Sequence, residues 1–296
     1  MARPTTPRAG DAETIAGVRV THPDKPLWPD VGLTKRHLAQ YYLAVAAPLL
    51  AWIGDRPISV LRMPEGLGGP RFFQRHPMPG ASPGIRRVAI PGEEKPFIQV
   101  DSAAGLVSLA QQAVMELHPW GAPGADLEHP DRLVLDLDPD EALPFAQVVA
   151  AAQAIRGRMV AAGLVPFCRT TGGKGLHVVA PLAPRTSWAA AKAFARSLCE
   201  AEAAAAPERY TIRAAKAERH GRIFLDYLRN DLFASAIANW SPRARAGAPF
   251  AAPLAWEEVE PGLEPHRFTL ATVSARLKAP DAWASFARSA RPLPPH

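Results

Sequence analysis

Cysteine is the scarcest informative residue of this chain. Only Cys168 and Cys199 occur among the 296 residues, and they form no Cys-x-x-Cys pair and no cluster with histidine. Structural zinc sites need such clusters, so this sequence argues against one. Two isolated cysteines are more typical of buried thiols in a reducing compartment than of a disulfide framework.

Long apolar segments are missing as well. The nearest candidate, from Tyr41 to Ile53, is too short to span a membrane and contains Pro48. The N-terminal stretch MARPTTPRAGDAET has no apolar core of the kind that a secretory signal peptide carries. These patterns predict a soluble cytoplasmic protein with no membrane partner.

The composition that remains is that of an ordinary globular protein. Hydrophobic residues make up 48% of the chain and charged residues 21%, which excludes wholesale disorder. A length of 296 residues suits one large domain or two lobes. The 32 prolines predict many rigid turns, and the net charge of +6 favours a polyanionic partner.

Periodicity and turn residues predict an irregular alternation of strands and helices. Residues 1–16 and 291–296 are predicted to be loose tails, and the Pro/Ala-rich stretch 241–253 a connection over the surface. Thr34 fits the N-cap of a helix that runs to about Ile53, and Asp101 or Ser102 that of a helix across 106–117. The remaining elements are helices over 144–162, 187–205 and around 270–289, and strands over 57–63, 71–75, 132–139, 164–170, 176–182 and 222–228. This mixture predicts an α+β fold with mixed or antiparallel sheets flanked by helices.

Two of these strands carry acidic residues within apolar sequence. In RLVLDLDP, residues 132–139, Asp136 and Asp138 project from one face, because alternate side chains of a strand point the same way. In IFLDYL, Asp226 points away from its apolar neighbours. Three aspartates that converge from two strands could hold two Mg²⁺ or Mn²⁺ ions, an arrangement used for phosphoryl transfer. Taken alone, a D-x-D pair also fits a strand end that caps a turn.

The segment TTGGKGLH, residues 170–177, lies between two apolar runs. Its glycines allow positive φ and close backbone approach, which leaves N–H groups free to face an anion. Lys174 adds a cation and His177 another donor, so a triphosphate fits this chemistry. The spacing is not that of a Walker loop, and a glycine hairpin with a solvated lysine is the alternative interpretation.

Taken together, LVLDLDPD, TTGGKGLHVVAPL and RIFLDYLRN, in this order and spacing, resemble the polymerase domain of bacterial ligase D. That family belongs to the archaeo-eukaryotic primase-like polymerases and serves nonhomologous end joining. Four further segments agree with it, namely THPDKPLWP near the start, FFQRH at 72–76, MELHPW at 115–120 and IANWSPRAR at 237–245. The resemblance covers about residues 17–290. It implies a primase-like polymerase domain with an N-terminal subregion over 17–100 that contributes DNA contacts and a catalytic core over 101–290.

The resemblance also implies roles for individual residues. The catalytic, metal-binding positions, which would hold two divalent ions (Mn²⁺ or Mg²⁺), match Asp136, Asp138 and Asp226. The positions that hold the incoming NTP or dNTP match His118, Thr171, Gly172, Gly173, Lys174, His177, Arg229, Arg243 and Arg245. The positions that contact DNA match Lys25, Lys35, Arg62, Phe72 and Phe73. Thr171 stands where the family usually has serine, and it keeps the hydroxyl.

Some of these residues also fit purely structural roles. Phe72 and Phe73 would point to opposite faces of a strand, so that one of them could be buried in the core. The resemblance implies that this pair stacks on template bases and that Lys25 and Lys35 recognise the 5′-phosphate of the downstream strand. The alternatives are ordinary surface lysines and, for His118, a core histidine.

The function implied by the resemblance is the addition of NTPs or dNTPs to 3′ ends at DNA breaks and gaps, with Ku and an ATP-dependent DNA ligase as partners at the bacterial nucleoid. The chain has no K-x-D-G motif of a nucleotidyl lysine, so no ligase activity is expected of it. Two alternatives are a dedicated primase and a non-catalytic DNA-end-binding module. The missing cysteine cluster argues against a zinc-stabilised replicative primase, and a pure binder has no use for clustered carboxylates near DNA. A standalone polymerase and one domain of a larger ligase fit the sequence equally well.

Overall fold

The computed structural model describes residues 12–78 and 84–294. The strands, in chain order, are β1 (Ala12–Ile15), β2 (Val18–Thr21), β3 (Pro26–Trp28), β4 (Leu33–Thr34), β5 (Ile58–Arg62), β6 (Phe72–Gln74), β7 (Arg86–Val88), β8 (Phe97–Gln99), β9 (Val114–Pro119), β10 (Arg132–Pro139), β11 (Phe167–Thr170), β12 (Leu176–Pro181), β13 (Tyr210–Thr211), β14 (Ile223–Asp226) and β15 (Pro253–Leu254). The helices are α1 (Lys35–Ala44), α2 (Ala46–Ile53), α3 (Ala103–Gln111), α4 (Phe145–Ala161), α5 (Trp188–Ala205) and α6 (Val273–Lys278). This mixture confirms the predicted α+β class.

A six-stranded sheet in the order β13-β14-β10-β12-β11-β15 carries the acidic strands. Its neighbours are antiparallel except for the parallel pair β13 and β14. Helices α4 and α5 pack against this sheet. Leu135 and Leu137 in the central strand β10 are fully buried, whereas the side chains of Asp136 and Asp138 keep 15% and 38% of their exposure. The alternation predicted for RLVLDLDP is therefore present.

A second sheet lies in the N-terminal part of the chain. In it β5 pairs with β6, β8 and β9, and β8 pairs with β7. Helix α3 and strand β9 lie beyond residue 100 in the sequence, yet α3 packs on α1 and β9 pairs with β5. One continuous core joins these elements to the six-stranded sheet.

Three predicted helical segments are shorter than expected, and the one around 270–289 is reduced to α6 and short 3₁₀ turns. The helix that begins after Thr34 ends at Ala44, and α2 begins at Ala46. The break follows from Pro48, whose ring lacks an N–H and would clash with the carbonyl of Ala44 in an unbroken helix. Helix α3 is capped by the Ser102 hydroxyl, as predicted, but it ends at Gln111 because the chain turns into β9. In the part of the chain that the structure describes, every helix is too short or too polar to cross a lipid bilayer.

Two irregular segments also differ from the expectation. Residues 12–15, predicted as part of a loose tail, form β1 and pair with β2 through a tight turn in which Ala16 and Gly17 both have positive φ. Residues 1–11 and 295–296 lie outside the described residues, and Arg291 is bridged to Leu182. The stretch 241–253 is mostly buried rather than a surface connection, because its small alanines pack closely and the Ser241 hydroxyl accepts the N–H of Leu117 at 2.8 Å.

Candidate active site

Four polar side chains form a row across four adjacent strands of the six-stranded sheet. Strand pairing places Asp226 in β14 opposite Asp136 in β10, Asp136 opposite His177 in β12, and His177 opposite Arg169 in β11. Directly paired residues of antiparallel strands project from the same face. Asp138, two residues beyond Asp136, shares that face. The sheet therefore brings the three predicted aspartates together, as the alternation in the sequence required.

The two directly paired aspartates are held by the same arginine. Arg229 Nη2 lies 3.2 Å from Asp136 Oδ2, and Arg229 Nε lies 3.1 Å from Asp226 Oδ2. Burial by itself raises the pKa of Asp136, but His177 and Arg229 beside it hold the pKa well below its ordinary value. For Asp226 burial prevails, and with the negative charge of Asp136 it raises the pKa above the ordinary value. The carboxylate of Asp226 is therefore less well compensated than that of Asp136.

Asp138 has basic partners of its own. Arg219 Nη1 donates to Asp138 Oδ2 at 2.8 Å, and Lys174 Nζ lies 3.7 Å from Asp138 Oδ1. Arg219 also lies over the ring of Phe224, with 4.0 Å between the guanidinium carbon and the ring centroid. No feature of the sequence singled out Arg219, since it comes from a short 3₁₀ segment that precedes β14.

The donor set fits hard divalent cations, which prefer carboxylate oxygen. In residues 12–78 and 84–294, however, no three histidine, cysteine or acidic side chains are grouped as a ready-made metal site. Instead, Arg229 and Arg219 form ion pairs with the carboxylates that a metal ion would need. The guanidinium groups of Arg229 and Arg219 show that positive charge is stabilised beside these carboxylates.

A polar cavity of about 200 Å³ opens beside the row. The predicted residues that line it are His118, Asp136, Asp138, Thr171, Lys174, His177, Arg229, Arg243 and Arg245. Asp226 does not line the cavity, since Arg229 lies against its carboxylate. Sequence segments more than 100 residues apart thus meet at one pocket rich in positive charge, which is the composition that an anionic ligand needs.

Gly172 and Gly173 leave space that two arginine side chains fill. A Cβ atom on Gly172 would lie 2.6 Å from Arg243 Cγ, and one on Gly173 would lie 3.2 Å from the guanidinium carbon of Arg245. Gly172 also has a φ of +66°, which other residues rarely adopt. The glycine turn therefore lets Arg243 and Arg245 reach the pocket, while the Thr171 hydroxyl donates to the carbonyl of Gly175 at 3.1 Å.

Glu116 is a site residue that the sequence patterns did not single out. Its Oε1 accepts from Arg243 Nε and from the N–H of Ala244, both at 3.0 Å, and its Oε2 lies 2.9 Å from His118 Nε2. Burial works to raise the pKa of Glu116, but His118 and Arg243 lower it to about 2. The only sequence signal is the alternation in MELHPW, which puts Glu116 and His118 on one face of β9.

A second and larger cavity, of about 530 Å³, lies in the N-terminal part of the chain. We call it the N-terminal pocket; its polar lining includes His22, Asp24, Lys25, Lys35, Arg62, Gln111 and Gln112. Lys35, the first residue of α1, is buried and donates to the carbonyl of Thr21 at 2.9 Å. Lys25 is paired with Glu65 at 2.9 Å. Burial, and then the nearby charge of Lys25, lowers the pKa of Lys35.

The predicted aromatic pair lies between the two pockets. Phe72 and Phe73 are 44% and 59% exposed, so the alternative that one of them is buried in the core is wrong. They lie on β6, a three-residue strand at the edge of its sheet, where neither face is covered. The guanidinium carbon of Arg62 lies 5.9 Å from the ring centroid of Phe72, and the Phe73 ring contacts His118 edge-on at 5.4 Å.

Comparison with known proteins gives one consistent result. Residues 34–283 match the family described as LigD, primase-polymerase domain. The chain is 38% identical over 291 residues to the multifunctional non-homologous end joining protein LigD of Pseudomonas aeruginosa, covering 97% of this chain and 34% of that protein. It is 28% identical to the bifunctional non-homologous end joining protein LigD of Bacillus subtilis, covering 90% of this chain and 44% of that protein. The chain thus spans between a third and a half of the length of these relatives.

The fold agrees with the sequence match. A solved structure, the polymerase domain from Mycobacterium tuberculosis ligase D in complex with DNA, superposes with a TM-score of 0.84 at 32% identity. The alignment covers 94% of this chain and all of that domain. The resemblance inferred from the motifs is therefore confirmed over nearly the whole length. The chain belongs to the LigD primase-polymerase domain family.

Proposed function

We propose that this chain is a nucleotidyltransferase that adds NTPs or dNTPs to 3′ ends at DNA breaks and gaps during nonhomologous end joining. One observation carries the proposal. Three aspartates on one sheet face adjoin a pocket lined by the basic side chains of Lys174, Arg229, Arg243 and Arg245. Carboxylates that can hold metal ions beside a cationic pocket are the arrangement that phosphoryl transfer from a triphosphate requires.

Asp136, Asp138 and Asp226 are the residues that would hold two divalent ions, Mn²⁺ or Mg²⁺. When bound, such ions supply the Lewis acidity that activates a 3′-hydroxyl and neutralises the departing pyrophosphate. The chain itself contributes the orientation of the three carboxylates, which the pairing of β10 with β14 fixes. Its basic side chains also keep the carboxylates charge-balanced before a metal binds.

The triphosphate would lie in the cavity beside the carboxylates. Arg243 and Arg245 offer planar guanidinium groups that can bind phosphate oxygens through two hydrogen bonds each. Arg243 donates from Nε to Glu116 and from Nη1 to the carbonyl of Thr171, which leaves its Nη2 available for a ligand. Lys174, Thr171, His177 and His118 add further donors around the same space.

DNA would bind across the exposed aromatic pair. Stacking of template bases on Phe72 and Phe73 needs no particular sequence, because every base has a π-face. The N-terminal pocket would hold the 5′-phosphate of the downstream strand through Lys25 and Lys35, with Arg62 between that pocket and Phe72. Ku and an ATP-dependent ligase are the proposed partners, and sealing of the strand would be the work of another domain or protein.

Primer extension on a gapped, 5′-phosphorylated duplex tests the proposal. We expect the chain to extend the 3′ end with Mn²⁺ or Mg²⁺, and the comparison of ribo- with deoxynucleotides measures its sugar preference. Synthesis that starts without a primer and ignores the 5′-phosphate would favour a dedicated primase. Tight binding of the gap without any extension would favour an end-binding module.

A further inference from the structure

Arg169 is buried in the sheet, 1% exposed, at the end of the polar row. It donates from Nε and Nη2 to His177 Nδ1, at 3.2 and 3.0 Å, and from Nη1 to Asn239 Oδ1 at 3.1 Å. Within the described residues it has no ion pair with a carboxylate. Instead, its guanidinium makes cation–π contacts with Trp52 and Trp283, whose ring centroids lie 5.4 and 6.0 Å from the guanidinium carbon.

A buried cation without a contacting carboxylate is destabilising unless other interactions compensate. Burial lowers the pKa of Arg169 to about 9, which still leaves the group charged at neutral pH. Hydrogen bonds to Asn239 and the indole rings offset part of the desolvation. An apolar side chain would fill this space without the cost of burying a charge. The charge of Arg169 therefore indicates a functional role.

The hydrogen bonds of Arg169 determine the tautomer of His177. A guanidinium has only donors, so the Nδ1 atom that faces it must accept. A neutral imidazole with an accepting Nδ1 carries its proton on Nε2. The Nε2 atom lies 3.3 Å from Asp136 Oδ1, and the ring lines the cavity of the active site. The opposite tautomer would turn a lone pair toward a carboxylate and toward any bound phosphate.

We propose that Arg169 is a positioning residue, which fixes His177 as the Nε2–H tautomer so that its ring presents a hydrogen-bond donor to the nucleotide pocket. The consequence for a nucleotide rests on the proposed function, whereas the tautomer itself does not. Strand register makes the arrangement possible, since Arg169, His177 and Asp136 are directly paired across three neighbouring strands.

Long-range ¹H–¹⁵N correlation spectra test the tautomer directly, because they distinguish a protonated from an unprotonated ring nitrogen. The variant His177→Asn assigns the signals among the nine histidines. In the unmodified protein we expect an unprotonated Nδ1 and a protonated Nε2. In Arg169→Met we expect the Nδ1–H tautomer to become detectable beside the Nε2–H form, which Asp136 still favours. A protonated Nδ1 in the unmodified protein, or unchanged signals in folded Arg169→Met, would overturn the proposal.

Arg132→Met is the matched control. Arg132 is also buried and lies 3.9 Å from the Trp52 ring, but its side chain donates to Asp131 and not to a histidine. We expect the His177 signals to stay unchanged in this variant. If Arg169→Met does not fold, Arg169→Lys and the spectrum of the unmodified protein carry the test. Lysine keeps the positive charge and an N–H donor, so part of the preference of His177 for Nε2–H should remain.

Titration with ATP connects the tautomer to ligand binding. We expect Arg169→Met to weaken ATP binding by about 10-fold, the lower end of the loss seen when the partner that orients a metal-ligating histidine is removed. Lys174→Ala should weaken binding without changing the His177 signals. A changed tautomer population with unchanged ATP affinity would overturn the positioning role. Failure of the unmodified protein to bind ATP, with the tautomer as expected, would count against the proposed function and leave the structural assignment of His177 supported.

Discussion

The two pockets of this molecule hold their charges in different ways. In the active-site cavity each aspartate is paired with a basic side chain, and Glu116 joins Arg243 to His118. In the N-terminal pocket Lys35 is held by a backbone carbonyl, and only Lys25 has an acidic partner, Glu65. In the smaller cavity the charges share partners, whereas in the larger one Lys35 and Arg62 have no acidic partner among the described residues.

This difference has a physical consequence. Charges that share partners are coupled, so changing one alters the positions and the pKa values of the others. In the N-terminal pocket Lys35 is held by a backbone carbonyl and Lys25 by a single carboxylate, so a change at either lysine disturbs fewer shared partners. The active-site cavity is therefore expected to respond to substitution with large, non-additive losses, and the N-terminal pocket with graded changes in the affinity for an anion. The following predictions test that contrast.

The largest effect is expected for Asp136→Asn, which keeps the shape of the side chain but removes a charged ligand at the centre of the row. Extension should fall by at least about 10³-fold, since the metal ions and Arg229 both lose their shared partner. DNA binding should be unchanged or slightly stronger, because one negative charge is lost. Single-nucleotide extension and a binding titration measure the two effects.

Asp140→Asn is the control for that experiment. Asp140 follows the same strand, but its carboxylate accepts the N–H groups of Ala142 and Gly221 at 2.9 and 3.2 Å. It should retain near-normal extension. Comparable activity of both variants would contradict a metal-binding role for Asp136.

The next effect is expected in the N-terminal pocket. The double variant Lys25→Ala/Lys35→Met should lose about 100-fold in its preference for a 5′-phosphorylated gap over a 5′-hydroxyl gap, since two charge-assisted contacts contribute about 1.5 kcal/mol each. Methionine at position 35 preserves the buried aliphatic stem. A binding titration of both gaps at fixed salt measures the preference.

Glu65→Gln sharpens the same measurement. Because Glu65 competes with a ligand for Lys25, its neutralisation should strengthen binding of the phosphorylated gap. An unchanged preference in the double variant would identify both lysines as ordinary surface charges, and weaker binding by Glu65→Gln would argue against competition for Lys25.

Glu116 gives a prediction about stability and pH. Its pKa falls from an ordinary value of 4.5 to about 2 in the folded state, so the ionised carboxylate stabilises the fold above pH 4.5. That contribution, at most about 3 kcal/mol, is lost as the pH falls from about 4.5 toward 2. Glu116→Gln should therefore lower the melting temperature at pH 7, and its difference from the unmodified protein should narrow in acid. A constant difference from pH 7 to pH 3 would show that the carboxylate charge is not responsible.

Much of this site could be predicted from the sequence because its residues lie in regular strands. Alternation in RLVLDLDP places Asp136 and Asp138 on one face, and the match of whole segments supplies the basic residues of the pocket. Glu116, Arg169 and Arg219 escaped prediction since their roles depend on which strand or turn lies beside them, and register is not visible in a single segment. The buried course of residues 241–253 was missed for a related reason. Proline and alanine are typical of exposed loops, and only the surrounding core shows that small side chains were needed.

The smallest effect is expected at the aromatic pair, which lies between the two pockets and contacts a residue of each. Phe73→Leu should reduce template-directed extension by about 10-fold, because loss of one stacking surface costs about 1–3 kcal/mol per base. The loss should be similar for all template bases, and addition without a template should be unaffected. Phe233→Leu is the matched control, since Phe233 is 42% exposed and its ring packs edge-on against Trp120. Melting temperatures should change little for either variant because both rings are largely exposed. If Phe73→Leu extends templated ends as well as the unmodified protein does, the exposed ring does not touch the template. The N-terminal pocket and the active site would then bind DNA without an aromatic contact between them.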